Sequence, residues 1–81
     1  MKVRVLLFGP EAAAVRRESV EIEVAEPATC AGLLSRLGAD FPALQAFLGA
    51  GRFAVNREFA PMEGAIGAGD EVALIGLVSG G

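Results

Sequence analysis

The sequence closes on two consecutive glycines, Gly80 and Gly81, which follow an apolar segment. The backbone carboxylate of a terminal residue can take part in chemistry once a partner activates it, most simply as an acyl-adenylate formed with ATP. Because glycine has no β carbon, an extended Gly-Gly segment can thread a narrow channel and leave its carbonyl open to a nucleophile. We therefore predict Gly81 as the reactive residue and Gly80 as the residue that gives access to it.

The side chains offer little competing chemistry. The chain has no histidine, so it lacks imidazole as a metal ligand or general base, and we predict no metal site. Cys30 shares a helical apolar stripe with leucines and is predicted to be a core residue and not a redox-active thiol. Asp70 and Glu71 are adjacent at the start of a predicted strand, where neighbouring side chains point to opposite faces. They are interpreted as a turn and its solvated edge, not as a catalytic pair.

Composition narrows the class of protein. With 81 residues the chain has room for one domain, and its net charge of −3 with scattered Lys and Arg makes nucleic acid an unfavourable partner. The longest uncharged stretches span about ten residues, whereas a bilayer span needs roughly 20. The charged start of the sequence and its single cysteine are typical of a cytoplasmic protein.

Hydrophobic periodicity predicts the elements that must position the end of the chain. Residues 3–8 and 20–24 alternate as strands, and acidic side chains on the second favour an edge position. Thr29 is a predicted N-cap for a helix whose apolar positions follow at helical spacing, with Gly38 as its C-terminal cap. A shorter helix near residues 42–48 and a short strand at 52–55 follow.

The last predicted strand, residues 71–75, is almost continuously apolar, as expected of a central strand covered on both faces. A hairpin, a crossover helix and a final central strand beside the first predict an α+β fold of the ubiquitin-like β-grasp type. It has a mixed sheet with one main helix packed on one face. Residues 1–75 would form the globular domain and residues 76–81 a flexible Gly-Gly tail.

Four segments resemble the small subunit of molybdopterin synthase, the MoaD type of the MoaD/ThiS sulfur-carrier family. They are residues 3–9 (VRVLLFG), 54–56 (AVN), 69–72 (GDEV) and 78–81 (VSGG). The resemblance covers the length of the chain. It departs from the family pattern at Gly76-Leu77, where family members often carry prolines, and a tail without them should be less stiff.

The resemblance implies a sulfur-transfer cycle in molybdenum cofactor biosynthesis. A ubiquitin-activator-like enzyme would adenylate Gly81 with ATP, and a sulfurtransferase persulfide would convert it to a thiocarboxylate. The tail would then enter the large subunit of molybdopterin synthase, within a heterotetramer, and donate sulfur to the cyclic pyranopterin precursor. No cofactor would be bound, and the catalytic residues would belong to the large subunit.

The same resemblance implies a partner-binding set beside the tail. Val78 and Ser79 would line the partner channel with Gly80. Leu77, Ile75, Phe59 and Phe8 would form an apolar docking patch, since stable interfaces have an apolar centre. Core packing is an equal alternative for Phe8 and Ile75, and Leu77, beyond the strand, is the better interface candidate. Three other hypotheses remain open: a thiamine-pathway sulfur carrier, a ubiquitin-like modifier joined to lysines, and a β-grasp binding module whose tail is inert.

Overall fold

The computed structural model describes residues 1–49 and 51–76. Eleven short elements follow one another along this part of the chain. In order they are β1 (Lys2–Leu6), α1 (Gly9–Val15), β2 (Ser19–Glu23), β3 (Ala28–Thr29), α2 (Cys30–Asp40), a 3₁₀ turn (Pro42–Leu44), α3 (Gln45–Leu48), β4 (Arg52–Val55), β5 (Glu58–Ala60), β6 (Ala65–Ile66) and β7 (Val72–Ile75).

Five strands form one mixed sheet in the order β2-β1-β7-β4-β5. The strands β1 and β7 are parallel, with Leu6 opposite Ala73, and the other neighbours are antiparallel. A small second sheet pairs β3 with β6. The predicted β-grasp fold is confirmed, with β2 at one edge and the last strand in the centre. Their positions follow from sequence, because β2 carries acids on one face whereas β7 is apolar on both.

The core lies between the main sheet and α2. It takes every second residue of the strands together with one stripe of the helix, as the two periodicities require. The side chains with essentially no exposure are Val5, Ile22, Cys30, Leu33, Leu37, Leu44, Phe53, Val72 and Leu74. The placement of Cys30 among them confirms its interpretation as a core residue.

The main helix begins as predicted and ends later than predicted. The Thr29 hydroxyl accepts a hydrogen bond from the Gly32 N–H at 3.1 Å, which satisfies one of the free donors of the first turn. The prediction that Gly38 caps the C-terminus is wrong, because the helix continues to Asp40. Gly38 is instead buried, and a β carbon there would lie 2.9 Å from Leu48 Cδ1, so its small size lets α3 pack closely.

No helix among the described residues is both long enough and apolar enough to cross a lipid bilayer.

Candidate functional site

The end of β7 is the point from which the predicted reactive tail would extend. β7 lies between β1 and β4, so this end is central in the sheet. The structure describes the chain up to Gly76. The predicted site residues Leu77, Val78, Ser79, Gly80 and Gly81 lie outside the described residues, and their roles stay predictions.

The sheet has one face covered by α2 and one open face. Side chains directly opposite each other on neighbouring strands lie on the same face. The register therefore places Leu6, Ala73, Ala54 and Phe59 in one row across β1, β7, β4 and β5. Their neighbours in sequence, such as Phe53 and Leu74, are buried in the core, so this row lies on the open face.

Three predicted docking residues are on this open side. Phe59 is 70% exposed at the sheet edge, and Phe8, just beyond β1, is 54% exposed. Leu7 points into the core, so alternation directs Phe8 to the opposite, open side. Ile75 is two residues beyond Ala73 on β7, hence on the same face, and is partly buried. The structure thus brings Phe8, Phe59 and Ile75 to one side of the sheet without testing what they bind.

The open face is polar on its other half. Lys2 lies opposite Glu23, and Arg4 lies opposite Glu21, in the antiparallel pairing of β1 with β2. All four side chains are exposed to solvent, and each cross-strand pair joins opposite charges. The open face is therefore charged on β1 and β2 and mainly apolar towards β7, β4 and β5, where the exposed Arg52 lies opposite Ile75. This division is typical of an interface with an apolar centre and a polar rim.

A hydrogen-bonded cluster joins the β4–β5 turn to the start of β7. The Asn56 side-chain amide donates to Asp70 Oδ1 at 3.1 Å, and Asn56 Oδ1 accepts from the Glu71 N–H at 3.0 Å. The second carboxylate oxygen of Asp70 accepts from the Gly67 N–H at 2.8 Å. Asn56 and Arg57 both have positive φ, which is the two-residue turn geometry that asparagine tolerates.

This cluster gives the 54–56 and 69–72 segments a structural role. It fixes the turn before β7 and therefore where the last strand starts. The Gly67 N–H, followed by the Asn56 amide, holds the pKa of Asp70 below its usual value, because both donate to the ionised carboxylate. Sequence reasoning identified the segments but not their contact, since Asn56 and Asp70 are joined only by the sheet register.

Two further groups complete the chemistry of the described residues. Burial raises the pKa of the Cys30 thiol, and the nearby negative charge of Glu63 adds to the effect. A high pKa disfavours the nucleophilic thiolate, in agreement with a core role. Among residues 1–49 and 51–76, no cluster of three or more cysteine, aspartate or glutamate side chains could hold a metal ion.

Sequence reasoning missed Glu11 altogether. It is the one charged side chain of the described residues that is buried, at 4% exposure, and it lies on α1 against Gly76. Its neighbours in sequence are alanine and proline, and no periodic pattern marks it as inward.

Comparison with known proteins identifies the family. The family model described as the ThiS family matches residues 5–81. The chain belongs to the ThiS family. Its members are ubiquitin-like sulfur carriers, so the resemblance to the MoaD/ThiS family is confirmed.

Solved structures of proteins named for different roles resemble this ThiS family chain. SAMP1 from Haloferax volcanii is 30% identical, with a TM-score of 0.86 over 100% of both chains. A chain in the complex of subunits 1 and 2 of the molybdopterin-converting factor from Helicobacter pylori 26695 is 27% identical, with a TM-score of 0.71 over 100% of both chains. A chain in the Amycolatopsis orientalis BexX/CysO complex is 18% identical, has a TM-score of 0.72 over 96% and 98% of the two chains, and shows the fold alone.

Proposed function

We propose that this ThiS family chain is the small, sulfur-donating subunit of molybdopterin synthase and that Gly81 carries the sulfur as a thiocarboxylate. The observation that supports this role is the apolar area of the open face beside the end of β7. Phe59 and Phe8 are large apolar side chains left largely exposed there. An exposed apolar area of this kind marks a surface that a protein partner covers.

The likeness to the Helicobacter pylori complex supports the choice of partner. That structure holds subunits 1 and 2 together, and the matching chain is covered over its whole length by this one. By analogy, the partner here is a large synthase subunit that docks on the open face and receives residues 77–81. The charged area formed on β1 and β2 would then lie at the rim of the interface.

The chemistry begins on an adenylating partner. The Gly81 carboxylate attacks the α phosphorus of ATP, and pyrophosphate leaves, which gives an acyl-adenylate. A persulfide sulfur of a sulfurtransferase attacks the acyl carbon and expels AMP. A partner thiol then reduces the resulting acyl disulfide, which leaves the thiocarboxylate on Gly81 and a disulfide on the partner. Activation is required because a carboxylate is a poor acyl donor.

The chain itself contributes recognition and presentation. Gly80 and Gly81 let the reacting carbonyl be approached from both sides, since neither has a β carbon. The folded part supplies the docking face and fixes the position from which the tail leaves. The acids and bases of the reaction belong to the partner enzymes. Binding the body of the carrier and holding the carbonyl beside a nucleophile converts a bimolecular encounter into an effectively unimolecular step.

Intact-mass measurement tests the proposal. The purified chain is incubated with its cognate adenylating enzyme, ATP and a sulfurtransferase charged as the persulfide. We expect the mass gain of one sulfur replacing one oxygen, with the change mapped to Gly81. A variant lacking Gly80 and Gly81 is the control, because the fold is retained and the acceptor is removed. Addition of the large subunit and the pyranopterin precursor should then yield molybdopterin and return the carrier to its original mass.

Absence of the sulfur-containing species with cognate partners would overturn the carrier role. A carrier that is charged but yields no molybdopterin with the large subunit would instead belong to another sulfur pathway, such as that of thiamine. Co-purification from native extract separates these two carriers, since the first should recover a large synthase subunit. Unchanged function after deletion of both glycines would favour a binding module with an inert tail.

The SAMP1 likeness favours a second candidate, a ubiquitin-like modifier joined to lysines through Gly81. Trypsin would leave a long remnant on the modified lysine, because no Lys or Arg follows Arg57. A glutamate-specific protease cuts after Glu71 and leaves residues 72–81 attached. Recovery of lysine peptides that carry this remnant from a cell lysate would support the modifier, and their absence under active growth would remove it.

A further inference from the structure

The buried carboxylate of Glu11 meets the chain at the position where β7 ends. β1 and β7 are parallel, so their C-terminal ends lie at the same edge of the sheet. Helix α1 begins three residues after β1 ends, which places its first turn over the end of β7. Glu11 lies in that first turn and is only 4% exposed. The topology thus brings a side chain near the start of the chain against Gly76.

A side chain at position 76 has room only if the carboxylate of Glu11, the far end of a flexible side chain, moves away from its buried position. A β carbon added to Gly76 would lie 2.9 Å from Glu11 Cδ and 3.2 Å from its Oε2, and closer still to Oε1. Real β carbons essentially never approach a heavy atom within 3.0 Å. A side chain at this position would displace this carboxylate from its buried place.

Backbone conformation does not explain this glycine. The described glycines with φ in the left-handed region are Gly9 and Gly69, and Gly76 is not among them. The φ of Gly76 therefore does not call for glycine, and what makes position 76 close-packed is the side chain of Glu11. Position 76 is the last described residue before the predicted reactive segment, so this contact acts on the direction in which the chain leaves the sheet.

We propose that Glu11 is a positioning residue for the C-terminal tail. Its side chain packs against Gly76 and fixes where the chain leaves β7, which sets the point from which the tail carries Gly81 to the activating enzyme. This inference rests on the proposed function only in taking Gly81 as the reacting residue. The role is one of shape: the Glu11 side chain fills the space that a side chain at position 76 would need.

Paired substitutions test the contact without reference to function. Gly76→Ala should lower the midpoint of denaturant unfolding, and adding Glu11→Ala should raise it again, because the second substitution removes the atoms that clash. Gly49→Ala is the matched control, since a β carbon there meets no atom within 4 Å. Strict additivity of the two substitutions, or no difference between Gly76→Ala and Gly49→Ala, would show that the contact is not present.

ATP–pyrophosphate exchange by the activating enzyme tests the positioning role, with the carrier as the varied substrate. Adenylation precedes every proposed fate of Gly81, so this assay does not depend on sulfur transfer. Misplacement of a reacting group by about 1 Å can cost on the order of a hundredfold in rate. We expect Gly76→Ala to lower kcat by at least about tenfold with KM changed less than about twofold, because the docking face is intact and presentation is altered.

The remaining variants decide between shape and charge. Glu11→Gln keeps the shape of the side chain and should retain kcat within about twofold of the parent, whereas Glu11→Ala alone should lower it. The double variant should regain most of the activity that Gly76→Ala loses. A double variant no better than Gly76→Ala, or a Glu11→Gln protein as impaired as Glu11→Ala, would overturn the proposal. Failure of sulfur transfer with normal exchange kinetics would overturn the proposed function and leave this inference standing.

Discussion

Replacement of Phe59 by alanine should weaken binding to the large synthase subunit while leaving the carrier folded. A phenylalanine side chain offers about 200 Å² for burial, and Phe59 is 70% exposed, so about 140 Å² remain to be covered by a partner. At about 25 cal/mol per Å², complete burial would contribute up to about 3.5 kcal/mol. Alanine retains part of that area, so we expect a loss of about 2 to 3 kcal/mol, on the order of 30- to 150-fold in Kd.

Titration calorimetry of each carrier variant into the cognate large subunit measures this change directly. Arg36→Ala is the control, because Arg36 is an exposed α2 side chain of similar reach on the covered side of the sheet. It should leave Kd within about threefold of the parent, as expected for a side chain outside the interface. The free energy of unfolding of Phe59→Ala should stay within about 1 kcal/mol of the parent's, since little of the side chain is buried.

A folded Phe59→Ala protein that binds with the parent's Kd would refute the assignment of the docking area to the open face. Equal weakening by Arg36→Ala would refute it in a different way, because the interface would then include the helix side. Either result would leave the family membership untouched. The molybdopterin proposal would then need a different surface beside the end of β7.

Three further outcomes follow from the described residues. The lowered pKa of Asp70 stabilises the fold above about pH 4, and this stability is lost as the pH falls through the folded-state value. The free energy of unfolding of Asp70→Asn, measured with denaturant, should therefore lie below that of the parent at neutral pH and converge with it in acid. Cys30 should react with a thiol reagent only after unfolding, because it is fully buried with a raised pKa. Arg16 is the C-cap residue of α1 and has a left-handed φ of 57°, a conformation that glycine adopts at no steric cost. In thermal unfolding, Arg16→Gly should therefore raise the free energy of unfolding by about 0.5 to 1 kcal/mol, whereas Arg17→Gly should not.

The likeness of this chain to proteins named for different roles has a physical explanation. SAMP1 and the molybdopterin-converting factor chain share the fold with this protein over their full lengths. A carboxylate activated as an adenylate can be passed to a sulfur nucleophile or to a lysine, so one fold serves both outcomes. Under the proposed function, the partner that docks on the open face would decide between them.

Local sequence was sufficient to predict the main helix and the longer strands of this protein, whereas the short strands β3, β5 and β6 were not predicted. Alternation with a period of two marks β1 and β2, and the stripe of Leu33 and Leu37 marks α2. The hydroxyl of Thr29 caps that helix within its own first turn. The uninterrupted apolar run of β7 places it in the centre of the sheet. These features depend on residues only a few positions apart, so the amino-acid order alone determines them.

Tertiary structure decided which distant residues meet. Sheet register, and not sequence spacing, places Phe59 in one row with Ala73 and brings Asn56 to Asp70. The parallel pairing of β1 with β7 sets Glu11 against Gly76, and a fold without that pairing would leave both residues unremarkable. Each of these contacts exists only once the strands are aligned, since a shift of one residue would turn the side chains to the other face.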